Sequence, residues 1–298
     1  MLVRNIVQRG LCIPLINTIL GETMLKLSKI FTAGMLCLLM TTIAYSNDLD
    51  AFVGQKGILK IAGGTAHIPV MKAAAELIMT SNPDIRITIA GGGTGVGIKQ
   101  VGEGLVEIGN AGRKATDEEI ATYNLSMVKW AIDGVGAVVN PKNSVTALTA
   151  SQLQDIFAGK IVNWKEVGGE DREINIYDRD SASGTREVFW KKALNSGDVA
   201  KKANVVVSNG AMKTAIAGDP YSIGYVSVGH IDATVSPVAL DGVVPNLENT
   251  KSGSYGVARG LYSLTKGEPA GLAQSFLDFL LSPTGQQIAK DKGFVGVK

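Results

Sequence analysis

Three short stretches of this 298-residue chain carry side chains suited to one kind of chemistry, the enclosure of an oxyanion. The richest is "DRDSASGTREVFW", Asp178 to Trp190. Arg179 is a planar cation with five N–H donors. Ser183, Gly184 and Thr185 are small and offer hydroxyl and backbone donors. The segment "REVFWKKAL" that follows has apolar residues at helical spacing. A Ser or Thr before a helix is often only a cap for free backbone N–H groups. The same helix start, with its unpaired N–H groups and positive dipole end, is also an anion site, and a nearby arginine adds charge-assisted bonds.

Two more junctions repeat the pattern. Gly63-Gly64-Thr65 and Gly91-Gly92-Gly93-Thr94-Gly95 each stand between an expected strand and an expected helix. In open α/β sheets ligands sit beyond the carboxyl ends of the strands, where these junctions fall. Glycine lets the backbone approach a ligand closely, and hydroxyls and N–H groups can encircle an oxyanion. One such junction reads as a capped turn. Three of them, together with Arg179 and Arg113, favour an anion.

Other chemistries lack their signatures. "GGGTGVG" does not fit G-x-G-x-x-G, there is no G-x-x-x-x-G-K-[ST], and no G-x-S-x-G occurs. The two histidines, His67 and His230, supply neither a Ser-His-Asp triad nor a histidine metal site. Each reads as a structural or loop residue, although His67 lies in the first junction. The expectation is therefore a binding protein with no catalytic residues, no cofactor and no metal.

The elements that position these residues alternate. Strands are predicted over 57–63, 84–90, 105–111, 174–178 and 221–229, and helices over 68–82, 95–104 and 210–218. Two apolar runs, 127–133 and 134–140, stand side by side. Thr149 followed by Gln152 fits a capping box, and 270–293 reads as helix broken at Pro283. This order argues an α/β fold with mixed, mostly parallel sheets.

The first residues belong to targeting rather than fold. "MLKLSKIFTAGMLCLLMTTIAYS" has a basic start at Lys26 and Lys29, an apolar stretch from Ile30 to Ile43, and a small-x-small ending at Ala44-Tyr45-Ser46. That pattern reads as a secretory signal peptide over residues 1–46, with residues 1–23 an upstream extension of a chain that starts at Met24. Cys12 and Cys37 both lie within it, so the mature chain is expected to be free of disulfides and thiolate ligands. Leu36 just before Cys37 makes a lipid anchor the lesser expectation. The whole chain has 29 basic and 27 acidic residues. Without Arg4, Arg9, Lys26, Lys29 and Glu22 it carries 25 and 26, a net charge of −1. Bulk charge thus argues against a nucleic-acid partner, and any anion must be held by local geometry.

The chain resembles the periplasmic phosphate-binding proteins of ABC importers (PstS type), within the type II solute-binding proteins. The resemblance rests on "GGTAHIPVMKAAAE", "ITIAGGGTGVGIKQVGEGLVEIGNAGR", "LTASQLQDIFAGKIVNWKEVGG", "RDSASGTREVF" and "YSIGYVSVG". It implies a two-domain fold with the ligand cleft between the domains: domain I over 47–133 and 228–298, domain II over 134–227, with crossovers near Asp133-Gly134 and Val226–Val228. It implies a periplasmic monomer that captures inorganic phosphate and delivers it to an ABC permease in the inner membrane. The implied ligand residues are Thr65, Ala66, Thr94, Gly95, Arg113, Arg179, Ser183, Gly184 and Thr185. Some relatives carry an aspartate or serine where this chain has Gly112, and such an aspartate would accept the proton of hydrogen phosphate and repel sulfate. Asp180 and Asp133 are the acids considered in its place. The alternatives are another tetrahedral oxyanion such as sulfate or molybdate, an exported phosphatase, and a sensor or adhesion role.

Overall fold

The computed structural model describes residues 48 to 298, so the expected signal peptide and both cysteines lie outside the described residues. The first half follows the predicted alternation: β1 (Gly57–Gly63), α1 (Ile68–Ser81), β2 (Ile85–Gly92), α2 (Thr94–Gly102) and β3 (Ile108–Ala111). β1 pairs in parallel with β2 on one side and β3 on the other. A capping box of Thr116 and Glu119 starts α3 (Asp117–Tyr123). The two apolar runs that follow are one strand, β4 (Leu125–Val139), 15 residues long.

The second half contains β5 (Ala147–Leu148), α4 (Ala150–Phe157), β6 (Asn175–Arg179), α5 (Gly184–Lys192), β7 (Asn204–Val206), α6 (Asn209–Gly218) and β8 (Ser222–Ser227). The Thr149–Gln152 capping box opens α4. β9 (Ser236–Pro237), β10 (Ala239–Leu240), α7 (Leu247–Ser252) and β11 (Ala258–Lys266) come next. The chain ends with α8 (Gly271–Leu281), α9 (Pro283–Asp291) and β12 (Val295–Gly296). Pro283 separates α8 from α9, because its ring suits the first turn of a helix and not its interior.

The main sheet runs in the order β2-β1-β3-β11-β4-β8-β6-β7. Its two arms are parallel, β2-β1-β3 at one end and β8-β6-β7 at the other, and antiparallel pairs through β11 and β4 join them. β4 is the spine. Up to Gly134 it pairs with β11, and from Val135 onward with β8.

The hydrophobic cores divide at the same point. One gathers Leu59, Ile61, Val70, Met71, Trp130, Leu261, Phe276 and Phe294 beneath β1, and a smaller cluster of Ile98, Val101 and Leu264 joins it on the other face. The other gathers Val135, Val139, Phe157, Trp164, Ile176, Phe189 and Tyr225, with Phe189 stacked on Tyr225 at 4.1 Å between centroids. These define two lobes within the compact unit of residues 49–298.

One expected boundary is corrected. Of residues 228–257, assigned from sequence to the first domain, those after His230 pack mainly on the second lobe. β9 pairs with Val138 and Val139, β10 pairs with β5, and Val238, Tyr255 and Val257 lie in the second core. The chain turns back at Val228–His230, where Gly229 lies against Phe294 and His230 faces the Thr65 carbonyl, and it rejoins the strands of the first lobe with β11, whose Ala258 pairs with Gly134.

Candidate functional site

The three glycine-and-hydroxyl junctions meet where the lobes touch. Thr65 (4% exposed) and Ala66 come from the turn after β1, and Thr94 from the first turn of α2. Arg179 ends β6, and Ser183, Gly184 and Thr185 start α5. These residues, with Gly64, His67, Gly93, Gly112 and Arg259, line one cavity. It is small, about 10 Å³, close to the space one water molecule needs and far below the roughly 300–1,000 Å³ of organic-ligand pockets. A larger hollow of about 280 Å³ near Lys142, Trp164, Glu170 and Tyr221 has no comparable convergence of donors.

The lobes are closed on this cavity. Gly95 donates its backbone N–H to the Ala182 carbonyl at 3.1 Å. A Cβ at Gly93 would come within 2.6 Å of that carbonyl oxygen, and one at Gly184 would run into Thr94 Oγ1. Gly93 also has φ +90°, so both its conformation and its contact require glycine. Asn209, fully buried at the start of α6, donates from Nδ2 and from its backbone N–H to Thr65 Oγ1, at 3.0 and 3.2 Å, and accepts from Ser227 N–H at 3.0 Å.

Arg179 is 2% exposed. Its Nε and Nη2 donate to the carbonyls of Val206 and Val207 at 3.1 and 3.2 Å, and its Nη1 is buried without a partner. Burial pulls its pKa below the usual arginine value, an effect that the nearby Tyr225 and Asp180 oppose, and a guanidinium remains charged at neutral pH all the same. A buried guanidinium nitrogen with nothing to bond is costly unless an anion completes it.

The hydroxyls are oriented by what they accept. Thr94 Oγ1 accepts from Gly112 N–H at 2.9 Å and Ser183 Oγ from Arg186 N–H at 3.1 Å. Thr185 Oγ1 accepts from Arg259 Nη2 at 2.9 Å. Each keeps its proton to donate.

Not all expected residues meet here. Arg113 is turned out of the cavity. Its guanidinium makes two bonds to Glu119, at 2.7 and 2.8 Å, and an ion pair with Glu187 of α5 at 3.0 Å. Those bonds to Glu119 raise its pKa further. The N–H of Gly95 is spent on Ala182, so this residue helps to join the lobes. Asp180 shapes the turn instead of facing the cavity: its Oδ1 accepts from Ala182 N–H at 2.9 Å.

The second arginine at the cavity is Arg259, on β11, which was not singled out in the sequence. Its Nε and Nη2 donate to Asp133 Oδ2 at 3.0 and 2.8 Å. Asp133 is fully buried and takes a further bond from Ser227 Oγ at 2.7 Å. Burial raises its pKa, while Arg259 and Ser227 pull the other way. The readable signal was one acid inside "WAIDGVGAVV" and one base inside "VARGLYSL", since charges in buried strands must pair. Asn209 was missed as well. The ring of His67 is fully buried, edge-on to Trp130 at 5.6 Å, without a well-formed hydrogen bond although the carbonyls of Tyr262, Gly64 and Ala111 face it. Burial lowers its pKa to about 3, so the imidazole is neutral.

Among the described residues no cluster of His, Cys, Asp or Glu is arranged to hold a metal ion, and no helix is long and apolar enough to cross a membrane.

Residues 51–284 match the family model of the PBP superfamily domain. The phosphate-binding protein PstS of Bacillus subtilis is 40% identical over 244 residues, 81% of each chain. A Clostridium perfringens protein described as a phosphate ABC transporter substrate-binding protein, with bound phosphate, is 36% identical, with a TM-score of 0.76 over 81% of this chain and 100% of its own. An ABC-type phosphate transport receptor of Vibrio cholerae is 31% identical, with a TM-score of 0.63 over 80% and 99%.

Proposed function

This chain belongs to the PBP superfamily and, within it, to the PstS-type proteins, and on that premise we propose that it captures inorganic phosphate outside the cytoplasm and presents it to an ABC permease. The observation that carries the proposal is the unpartnered, buried Nη1 of Arg179 in a cavity where two helix starts, α2 and α5, and four hydroxyls converge. The phosphate contacts are assigned to Thr65, Ala66, Thr94, Arg179, Ser183, Gly184 and Thr185. The lobes act as domains over 49–133 with 258–298, and 134–257.

Binding works by closure. Thr65 and Thr94 belong to one lobe, Arg179, Ser183 and Thr185 to the other, so an anion gains the whole set only when the lobes meet. A micromolar Kd needs roughly 8 kcal/mol. Charge-assisted hydrogen bonds at roughly 1.5–3 kcal/mol each supply that from a handful, after the costs of association and closure. Among the described residues none of the four hydroxyls is hydrogen-bonded to a histidine or a carboxylate that could serve as its base, which supports a carrier over a phosphatase.

The test is calorimetric titration with phosphate of protein unfolded and refolded to strip bound ligand. Binding with micromolar or tighter Kd is expected. At a hundredfold excess over Kd, phosphate should add about 2.7 kcal/mol of stability and raise Tm by roughly 5–10 °C. No heat and no Tm shift would end the proposal. Steady release of product from a chromogenic phosphate ester would return the phosphatase.

A further inference from the structure

We infer that Arg259 contacts the bound anion directly, and that the Gly112–Arg259 pair makes the cavity a shell of donors that takes a tetrahedral dianion whether or not its fourth oxygen carries a proton. This rests on the anion-binding reading above and goes beyond it by assigning the ligand class.

The geometry starts at Gly112. A Cβ built there would lie 2.5 Å from Arg259 Nη1, so the guanidinium edge fills the space that a side chain at 112 would occupy. Arg259 cannot easily step aside. Its Nε and Nη2 are bound to Asp133 Oδ2, and Nη2 also to Thr185 Oγ1, which leaves Nη1 as the edge toward Gly112 and the cavity. Asp133 balances the charge but does not reach the ligand. It is fully buried, and both of its oxygens are engaged, by Ser227 and by Arg259.

No carboxylate faces the anion, since none of the described residues lining the cavity is acidic. The hydroxyls are weaker substitutes, because they are neutral and do not repel the bare oxygen of sulfate, and each already accepts at least one N–H. Thr65 Oγ1 already accepts from both N–H groups of Asn209, and Thr185 Oγ1 from Arg259 and, at 3.5 Å, from Asn209. Thr94 and Ser183 each accept a backbone N–H. The His67 ring is turned to main-chain carbonyls. Hydrogen phosphate and sulfate share shape and charge and differ in one proton. A carboxylate would bond that proton and repel the bare oxygen of sulfate, whereas a shell of donors serves both ions. One charge-assisted contact is worth roughly 10- to 100-fold in affinity, so without it discrimination should not exceed about 100-fold.

Calorimetric titration of the stripped protein with phosphate and with sulfate at pH 7.5 tests this. The wild type should bind both, sulfate within about 100-fold of phosphate. Arg259→Gln should weaken both by more than about tenfold. Gly112→Asp, added to the Asp133→Asn/Arg259→Gln background so that the new carboxylate has the space the guanidinium fills, should weaken sulfate at least about tenfold more than phosphate. Because Arg259→Gln strands the buried Asp133, the double variant Asp133→Asn/Arg259→Gln is titrated beside it, with Tm as the check of folding; it should fold and show the same loss. Phosphate affinity within about threefold of wild type in the folded double variant would overturn the role of Arg259. Tight phosphate binding that a thousandfold excess of sulfate leaves undisturbed would overturn the donor-only shell. A wild type that binds neither ion would instead bring down the anion-binding reading itself.

Discussion

Arg179 is the residue on which the site depends most, because two of its nitrogens fix the side chain and the third is left for the ligand. Lysine keeps the charge but cannot hold two carbonyls and an anion from one planar group. Arg179→Lys should therefore cost at least about tenfold in phosphate affinity, and Arg179→Ala more. Titration calorimetry reads both, and an unchanged Kd in either removes Arg179 from the site. His230 is the other residue with a distinct signature. Its Nε2 lies 3.2 Å from the Thr65 carbonyl, and burial lowers its pKa to about 4, with Lys213, Arg259 and Arg179 adding to the depression and the Thr65 carbonyl opposing it. The unfolded chain titrates this ring near pH 6.5, the folded protein only near 4. Its stabilising contribution is thus complete above pH 6.5 and is lost as the pH falls from there toward 4, up to ~3 kcal/mol. His230→Gln keeps an N–H donor and does not titrate. The wild-type melting temperature should fall more steeply than the variant's between pH 7 and 4.5, and parallel curves would refute the assignment.

Elements with their own periodicity and caps were legible in the sequence, and elements defined by distant partners were not. β1 occupies the predicted 57–63, and the Thr149–Gln152 box starts α4, because alternation and capping are local signals. β4 reads as two runs since Gly134 and Gly136 interrupt its apolar pattern, yet it is continuous because β11 and β8 pair along its whole length. β9 and β10 are two residues each and carry no period, so the return of the chain after His230 to the second lobe was invisible. The Asp133–Arg259 pair joins positions 126 residues apart, and only the fold brings them together. Of the nine residues expected to bind, the seven on the junction turns line the cavity, while Gly95 and Arg113 sit on the contact between lobes. One prediction belongs to the meeting of α2 and α5. Gly184 starts α5 with ordinary helical geometry, so alanine there suits the helix, but its Cβ would strike Thr94 Oγ1 only when the lobes are closed. Gly184→Ala keeps the backbone N–H, so it should leave the ligand-free Tm within a few degrees and weaken phosphate by about tenfold or more, since overpacking against Thr94 commonly costs about 1–3 kcal/mol. Small-angle scattering should show that variant failing to contract with phosphate.

Closure of the whole molecule is held partly by bonds that need no ligand. Gly95 to Ala182 and Asn209 to Thr65 cross the cleft beside the cavity, and Arg113 to Glu187 crosses it farther out. Arg113 is anchored on its own lobe by two bonds to Glu119, so its reach to Glu187 is pre-positioned. Such a latch raises the closed fraction of the empty protein, and the apparent Kd falls in proportion to that fraction. Its strength is bounded by exposure: the Arg113 side chain is 23% and the Glu187 side chain 34% exposed, where ion pairs contribute about 0.2–1 kcal/mol. Glu187→Gln should therefore weaken phosphate by no more than about fivefold. The loss should shrink as salt is raised from 0.05 to about 1 M, because screening removes the pair from the wild type as well. A residue in the cavity behaves differently, since its contact is buried and its loss survives added salt. Titrations of Glu187→Gln and Arg179→Lys at low and high salt separate the two roles. If Glu187→Gln costs as much as Arg179→Lys and is equally indifferent to salt, the outer pair is part of the binding site and the latch does not exist.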